Sequence, residues 1–384
     1  MADPRTRIRR LHWAQEANYA ENPGAGQLVA VPVENLGDLS DGAALIERNT
    51  VIGTIGEPPA MSGPRSAEFQ VGLEVVGFQA AGIGDGVSPP AADYFDFAVG
   101  NIMAPPTSLG GEGGSVTGTT LTLDAAVTGL AAGALLYLRN TSSGEGRWAY
   151  VTAVSGTDVT LDRTLDITPD LVQGVRNWAP AEGLDGEPTL YAAYDRGGTN
   201  GDLYELPGLR ATSASIAASG EAQALLNMTL MADDKIDSAI DRATLPDIQT
   251  GSTPTTPLRV ARVFYNGQRL SGISEINVDF QLTAAARKDI GEFNLRSGHL
   301  VMDMHPTVQI QIPFEETYTA LRRSAGVGSL TVQIGTGPAS FALHIPTVQV
   351  TEDGPGDDGG RDMQSVTFRT KKGTAARRFV LGRA

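Results

Sequence analysis

Four histidines, His12, His299, His305 and His344, carry the side chains whose pKa best suits proton transfer or metal binding near neutrality. No H-E-x-x-H occurs. His299 and His305 stand six apart across a strand-like stretch, which is not a metal-ligand spacing. The chain has no cysteine, which excludes disulfides, thiolate metal sites and cysteine nucleophiles. No nucleophile-elbow sequence G-x-S-x-G is present. The glycine-rich stretch at 108–118 holds no G-x-x-x-x-G-K-[ST] and precedes no good helix, and Lys235, Lys288, Lys371 and Lys372 are the whole lysine complement, so a phosphate loop is not expected. Carboxylate pairs for glycoside hydrolysis cannot be singled out among 44 acids. The run Glu352-Asp353-Gly354-Pro355-Gly356-Asp357-Asp358-Gly359-Gly360 has the carboxylates and the pliancy to hold Ca²⁺, but it lacks the EF-hand spacing and the closing Glu. A solvated hairpin tip between strands 341–350 and 363–370 is the preferred reading. No enzyme activity, cofactor or metal is expected.

The chain has 384 residues and a formal charge of −15, with 29 bases against 44 acids. An acidic surface disfavours general nucleic-acid binding and anionic membranes. The charge is uneven. Residues 1–10 hold Arg5, Arg7, Arg9 and Arg10 against Asp3, and residues 365–384 hold Arg369, Lys371, Lys372, Arg377, Arg378 and Arg383 with no acid. Taking those ten bases and one acid from the totals leaves 19 bases and 43 acids in residues 11–364, a net −24. Two basic ends on an acidic body suggest arms that dock on a neighbouring acidic surface. No run approaches 18 apolar residues, so no membrane insertion is expected, and the stretch MADPRTRIRR is no secretory signal.

The elements that would position these charges are mostly strands. In Glu68–Val75 the apolar residues fall at 69, 71, 73 and 75, which predicts a strand with one dry and one wet face over 66–76. Ser88 and Pro89 open a predicted helix over 89–103, with Tyr94, Phe95, Ala98, Val99 and Ile102 on one face. Residues 110–170 read as an insertion. GGEGGSVTG is a flexible entry, and TTLTLDAA, GALLYLRN, RWAYVTAV and TDVTLDRTL are four short strands of a small all-β module. At about 60 residues its core is marginal, so it should lean on the main body. Further strands are predicted at 189–194, 202–206, 223–231, 258–265, 268–282, 308–312, 329–334, 341–350 and 363–370. Asn266-Gly267 is a strong hairpin signal because both residues accept positive φ. A short helix is predicted over 313–323, with Glu315 and Glu316 in its first turn and Arg322 and Arg323 in its last.

The expected fold class is therefore mainly β. The domains are an extended N-terminal arm (1–45), a first β unit (46–109 and 171–231), the inserted module (110–170), a Pro/Thr-rich linker (232–257), a second β unit (258–370) and a basic C-terminal arm (371–384). Each unit places one helix between β segments, and each carries an alternating strand with an acidic, amide-rich wet face. These faces are Glu68, Gln70 and Glu74 in the first, and Glu275, Asn277, Asp279 and Gln281 in the second. The two units are read as a duplication, the alternative being a larger, non-repeating β fold.

Three segments carry a family resemblance. Glu47-Arg48-Asn49-Thr50-Val51-Ile52 with Gly56 precedes Gly63-Pro64-Arg65-Ser66-Ala67-Glu68-Phe69-Gln70-Val71. Pro89–Met103 follows as a short apolar helix. Arg262-Val263-Phe264-Tyr265-Asn266-Gly267-Gln268-Arg269-Leu270 then leads into Glu275–Leu282. Their order resembles the tail tube proteins, or major tail proteins, of long non-contractile-tailed (siphovirus-type) bacteriophages, over roughly 45–105 and 185–375. The module at 110–170 resembles the surface decoration domains that some tube proteins carry. The resemblance implies β-barrel or sandwich units that join into rings around a lumen, and rings that stack into a virion tube after synthesis in the host bacterial cytoplasm. The chain's partners would be itself, as trimeric pseudo-six-fold or hexameric rings, and other tail proteins at the tube ends. Phage DNA would pass through without specific binding. Glu68, Gln70, Glu74, Glu275, Asn277, Asp279 and Gln281 would line the lumen. Arg5, Arg7, Arg9, Arg10, Lys371, Lys372, Arg377 and Arg378 would bridge adjacent rings. The competing readings are another virion structural protein (distal tail, baseplate or capsid decoration) and an extracellular β-rich binding or carbohydrate-active protein.

Overall fold

A computed structural model gives the fold. It describes residues 9–46, 61–75, 98–100, 102–103, 107–110, 112–180, 189–196, 203–219, 222–238, 240–246, 261–288, 296–314, 316–335, 340–358, 361–372 and 377–384. The chain opens with β1 (Arg10–Gln15), β2 (Val29–Val31), β3 (Val33–Leu36), β4 (Ser40–Ile46) and β5 (Met61–Glu74). After β6 (Thr107–Leu109) come β7 (Glu112–Thr117), β8 (Thr120–Leu123), β9 (Leu135–Arg139), β10 (Gly146–Ser155), β11 (Asp158–Leu161) and β12 (Leu171–Gln173). Then follow β13 (Val175–Trp178), β14 (Leu190–Asp195), β15 (Leu203–Ser219), β16 (Leu225–Ala232) and β17 (Ile236–Asp237). The remainder holds β18 (Ala261–Tyr265), β19 (Gln268–Leu270), β20 (Glu275–Asp279), β21 (Thr283–Lys288), β22 (Arg296–Asp303) and β23 (Thr307–Pro313). After the helix Glu316–Arg323 come β24 (Val327–Ile334), β25 (Phe341–Asp358), β26 (Arg361–Thr370) and β27 (Val380–Arg383).

One antiparallel sheet organises the body. β5 pairs with β16, β16 with β15, β15 with β20, β20 with β23, β23 with β26 and β26 with β25. β3 and β4 lie in succession along the outer edge of β5. The alternation read in the sequence sets the two faces. Ala67, Phe69, Val71 and Leu73 of β5 are buried while Glu68 and Gln70 are exposed; Ile276 and Val278 of β20 are buried while Glu275 and Asp279 are exposed. Removing each large apolar side chain from water stabilises the sheet by roughly 1.5–3 kcal/mol.

β15 and β25 each serve two layers. Leu203–Leu209 pairs with β14 and Arg210–Ala217 with β16; Phe341–Gln349 pairs with β24 and Val348–Asp358 with β26. Each long strand shifts register at a bulge, between Ala211 and Ser213 and between Val350 and Glu352, and bulges bend strands. The second layers are β2–β1–β14 and β19–β18–β24. The core lies between the layers, joined by Ala98, Val99 and Ile102 of a helical turn and by Tyr318 of the helix. Tyr318 meets Phe368 edge-on at 6.3 Å. The helix is also tied by polar bonds: Asp353 accepts from Thr319 Oγ1 at 2.5 Å and pairs with Arg322. Asn266 and Gly267 have φ of 49° and 76°, the hairpin geometry their types favour.

The insertion is a closed six-stranded barrel in the order β10-β11-β8-β7-β12-β9. Four of its strands fall on the four predicted segments. The GGEGGSVTG stretch is not a flexible entry but contains β7, held between β8 and β12. Its glycines permit close packing, since a Cβ on Gly113 would meet Asp124 Oδ2 at 2.2 Å. The barrel core runs on into Ala342, Val380 and Ala384 of the body. Trp148 Nε1 donates to Ser340 Oγ at 2.8 Å, and Asn177 accepts from Leu135 N–H and donates to Leu135 C=O.

Three segment readings need correction. The described part of the predicted N-terminal arm is built into the body: β1 pairs with β14 and β2, and Leu11, His12, Trp13 and Ala14 are buried. The predicted C-terminal arm likewise ends in β27, which pairs with β13 and β25 and buries Arg383 at 2% exposure. Strand pairing along the backbone outweighs the local excess of charge. Residues 232–246 of the predicted linker hold the last residue of β16, β17 and a 3₁₀ turn, with Arg242 paired to Asp195 at 3.0 Å and His12 Nε2 against Pro246 O at 2.9 Å. The rest of that linker, 47–60, 89–97 and the 359–360 tip lie outside the described residues.

Candidate functional site

The wet faces of β5 and β20 lie on the same side of the same sheet, separated by β16 and β15. Cross-strand partners share a face, so the registers trace polar rows across it. One row runs Asn35, Gly72, Asn227, Ser215, Asp279, Thr307, Arg369, Gln349. A second runs Glu74, Leu225, Ala217, Asn277, Gln309, Thr367, Glu352. A third runs Ser219, Glu275, Gln311, Ser365, Gly354, while Glu68 pairs with Met231 and Ser40, and Gln70 with Thr229. Six of the seven sequence-derived residues, Glu68, Gln70, Glu74, Glu275, Asn277 and Asp279, thus share one surface. Gln281 does not continue β20. Its φ is 46° and its N–H donates to Asp279 Oδ1 at 2.8 Å, so it turns the chain out of the sheet.

Hydroxyls and amides on this face bond mainly to one another. Gln309 Nε2 donates to Ser365 Oγ at 2.9 Å, Ser213 Oγ to Thr229 Oγ1 at 2.8 Å, and Ser274 Oγ to Gln311 Oε1 at 3.1 Å. Glu74 accepts from Gln223 at 3.3 Å, and Ser40 Oγ bonds both the N–H and C=O of Glu68. Glu68, Glu74, Glu275, Asp279 and Glu352 share these rows with two guanidiniums, the exposed Arg369 and the buried Arg210 opposite Met231. A groove of about 490 Å³ opens over Gly72, where a Cβ would meet Asn227 Oδ1 at 3.1 Å and Asn35 Cβ at 3.3 Å. Chemically the face is acidic, hydrogen-bonded within itself and poor in cations. Sequence reading missed Asn35, Asn227, Gln309 and Ser365, because short strands with partial alternation look alike on either side of a sheet.

Several of the basic residues expected to bridge rings bond within the chain. Arg9 donates to Leu36 O at 3.0 Å and pairs with Asp38 at 2.6 Å. Arg10 begins β1 opposite Asp195. Arg378 pairs with Asp303 at 3.0 Å, and His305 joins the same carboxylate at 2.7 Å. Burial works to raise the Asp303 carboxyl, but the bonds from Arg378, Met304 N–H and His305 hold it below its usual range. Lys371 N–H donates to Thr347 O at 2.9 Å, Lys372 is exposed and Arg377 half-buried. Arg9 and Arg378 are therefore committed to acids of their own chain. Arg5 and Arg7 lie outside the described residues.

Among the described residues, no group of three or more His, Asp or Glu is placed to hold a metal, and no helix is long and apolar enough to cross a membrane. A cleft of about 580 Å³ at the seam between barrel and body is lined in part by Tyr150, Asp162 and His344. His344 stacks on Tyr150 at 4.0 Å and shares a hydrogen bond with Thr331 at 2.8 Å. Burial, then the nearby Arg163, pushes its pKa down to about 3. Compared with known proteins, the chain matches no family model and is similar to no curated protein.

Proposed function

We propose that this chain is a structural subunit that closes into rings around an aqueous lumen, and that the rings stack into a bacteriophage tail tube through which DNA is ejected. The observation that carries this reading is the single sheet in which β5 and β20 present their acidic, amide-rich faces to the same side. Such a wall, with acids outnumbering its one exposed guanidinium, repels phosphate on balance, so a duplex slides past without sticking.

Duplication accounts for the sheet. The succession β1, β2, β3–β4, β5, helical turn, β14, β15, β16 pairs in the same order as β18, β19, β20, β23, helix, β24, β25, β26. Two units of four lanes each make eight lanes per chain. A ring of three chains then carries about 24 strands, more than the 16–18 that already leave an aqueous channel in porins. This favours a trimer with pseudo-six-fold symmetry over a hexamer. Ring-on-ring stacking is a heterologous contact that grows a filament.

Negative-stain microscopy of the purified chain tests the proposal. Rings or tubes with a central channel are expected, with three chains per ring by mass. A compact monomer at every concentration, together with its absence from phage tails, overturns it.

A further inference from the structure

The eight-lane sheet has two open edges. Among the described residues, β3 and β4 pair with β5 alone, and residues 351–358 of β25 pair with β26 alone. The chain also contains one closed example of the joint such edges would form. There β15 of the first unit pairs with β20 of the second, with Ser215 opposite Asp279 and Ser219 opposite Glu275.

The registers convert this internal joint into a specific external one. Thr229 pairs with Gln70 and Ser213, and Thr367 pairs with Gln309 and Glu352. Aligning the units on those triplets places Ser215 with Gly354 and Ser219 with Asp358. On the other side it places Asp279 with Ser40, through their partners Thr307 and Glu68, and Glu275 with Asn35, through Gln311 and Gly72. Faces agree: Ser40 and Asn35 are exposed, as are Asp279 and Glu275. The first-unit edge holds one residue more between its two anchor points than β20 does, which makes a bulge around Gly37, whose N–H donates to Gln70 O at 2.8 Å.

We infer that a second copy of this chain adds residues 354–358 of its β25 to the β3–β4 edge, with Gly354 opposite Ser40 and Asp358 opposite Asn35. The inference rests on the ring reading and specifies its register. Two features suit that partner. Ala214 C=O accepts from Phe280 N–H at 3.1 Å, so Ala214, Ile216 and Ala218 turn their backbone groups toward β20. Pro355 occupies the place of Ile216 and offers that neighbour a carbonyl but no N–H, which weakens the edge toward indiscriminate pairing. On the receiving edge, Arg9 covers the Leu36 carbonyl and must move off it, and the incoming segment brings the acids Asp357 and Asp358.

The cysteine-free background allows a direct test with the full chain. In the internal joint Ser215 and Asp279 form a non-hydrogen-bonded pair, whose Cα atoms stand about 4.5 Å apart, within disulfide reach. A Cβ on Gly354 meets nothing within 4 Å. Under mild oxidation, the Ser40→Cys/Gly354→Cys variant should link copies into covalent dimers and circular trimers. The Asn35→Cys/Asp358→Cys variant should do the same, which guards against a folding failure of the first pair. Ser40→Cys/Pro355→Cys, shifted to the opposite face, should link at least about tenfold more slowly. Ser215→Cys/Asp279→Cys should close within one chain and certifies the oxidation. Rings that form by microscopy without crosslinks at either in-register pair, or with equal crosslinking at the Pro355 pair, overturn the register and leave the ring reading standing. Absence of both rings and crosslinks overturns both.

Discussion

Ser215 on β15 is the cross-strand partner of Asp279 on β20, and this pair sits where the first half of the main sheet meets the second. The two stand 64 positions apart in the chain, yet they share one polar face. The wall that the proposed function requires exists because of this joint.

Reversing charge on that face should disturb function before stability. Glu275 and Asp279 are exposed, and surface substitutions of this kind usually shift stability by less than about 0.5 kcal/mol. Glu275→Lys/Asp279→Lys should therefore melt within a few degrees of the parent by circular dichroism. Assembled particles should now retain DNA in a salt-dependent manner, since each added lysine contributes a phosphate contact. Unchanged DNA passage with normal assembly would remove these residues from the lumen.

The opposite face of the same sheet should behave in the opposite way. Phe69 is 2% exposed and meets Tyr194 edge-on at 5.6 Å. Phe69→Ala should cost about 3–5 kcal/mol in urea unfolding. Gln70→Ala, one residue on and facing water, should cost under about 0.5 kcal/mol.

Asp353 fastens the helix to β25. Its side chain is 6% exposed, accepts from Thr319 and Gln364, and pairs with Arg322. Hydrogen bonds to charged groups are each worth about 1.5–3 kcal/mol. Asp353→Ala should lower unfolding free energy by at least that much and increase amide exchange in residues 316–323. Unchanged exchange there would show that apolar packing of Tyr318 suffices.

Two buried groups act on stability in opposite directions, and their slopes cancel to a plateau between about pH 4.5 and 6.5. Burial raises the Glu16 carboxyl to about 7, despite hydrogen bonds from Gly208, Thr189 and Ala20. Between about 4.5 and 7 the folded chain keeps a proton that the unfolded chain has released. The stability from this group therefore falls as pH rises through that window, by about 3 kcal/mol in all. His344 acts in the other direction. Its folded pKa of about 3 lies below the ordinary 6.5, so the unfolded chain takes up a proton that the folded chain refuses. Stability falls as pH drops below about 6.5, by up to about 1.4 kcal/mol per pH unit from this group. Denaturant unfolding across pH 4–8 checks both: Glu16→Gln should flatten the neutral limb, and His344→Gln should soften the acid limb.

Much of the fold was legible from side-chain type. Period-two alternation at 67–75 and 275–280 announced two strands and their wet faces, Asn266-Gly267 announced a hairpin, and four turn-bounded strands announced the inserted β module. Three of the strands that escaped show why. β7 looked like a linker because Gly113 and Gly114 are there for close packing, not for pliancy. β1 and β27 looked like parts of charged arms because a few arginines mask short apolar runs.

What the sequence determined by itself was which face of β5 and of β20 is wet and that this face is acidic. The tertiary structure alone decided that the two wet faces are one surface, that Arg9 and Arg378 are bound by acids of their own chain, and that among the described residues β3–β4 and the end of β25 have open edges. The reason is physical. Alternation is a local consequence of the two-residue pleat, whereas strand neighbours and ion-pair partners are chosen by long-range packing between residues that the sequence keeps far apart.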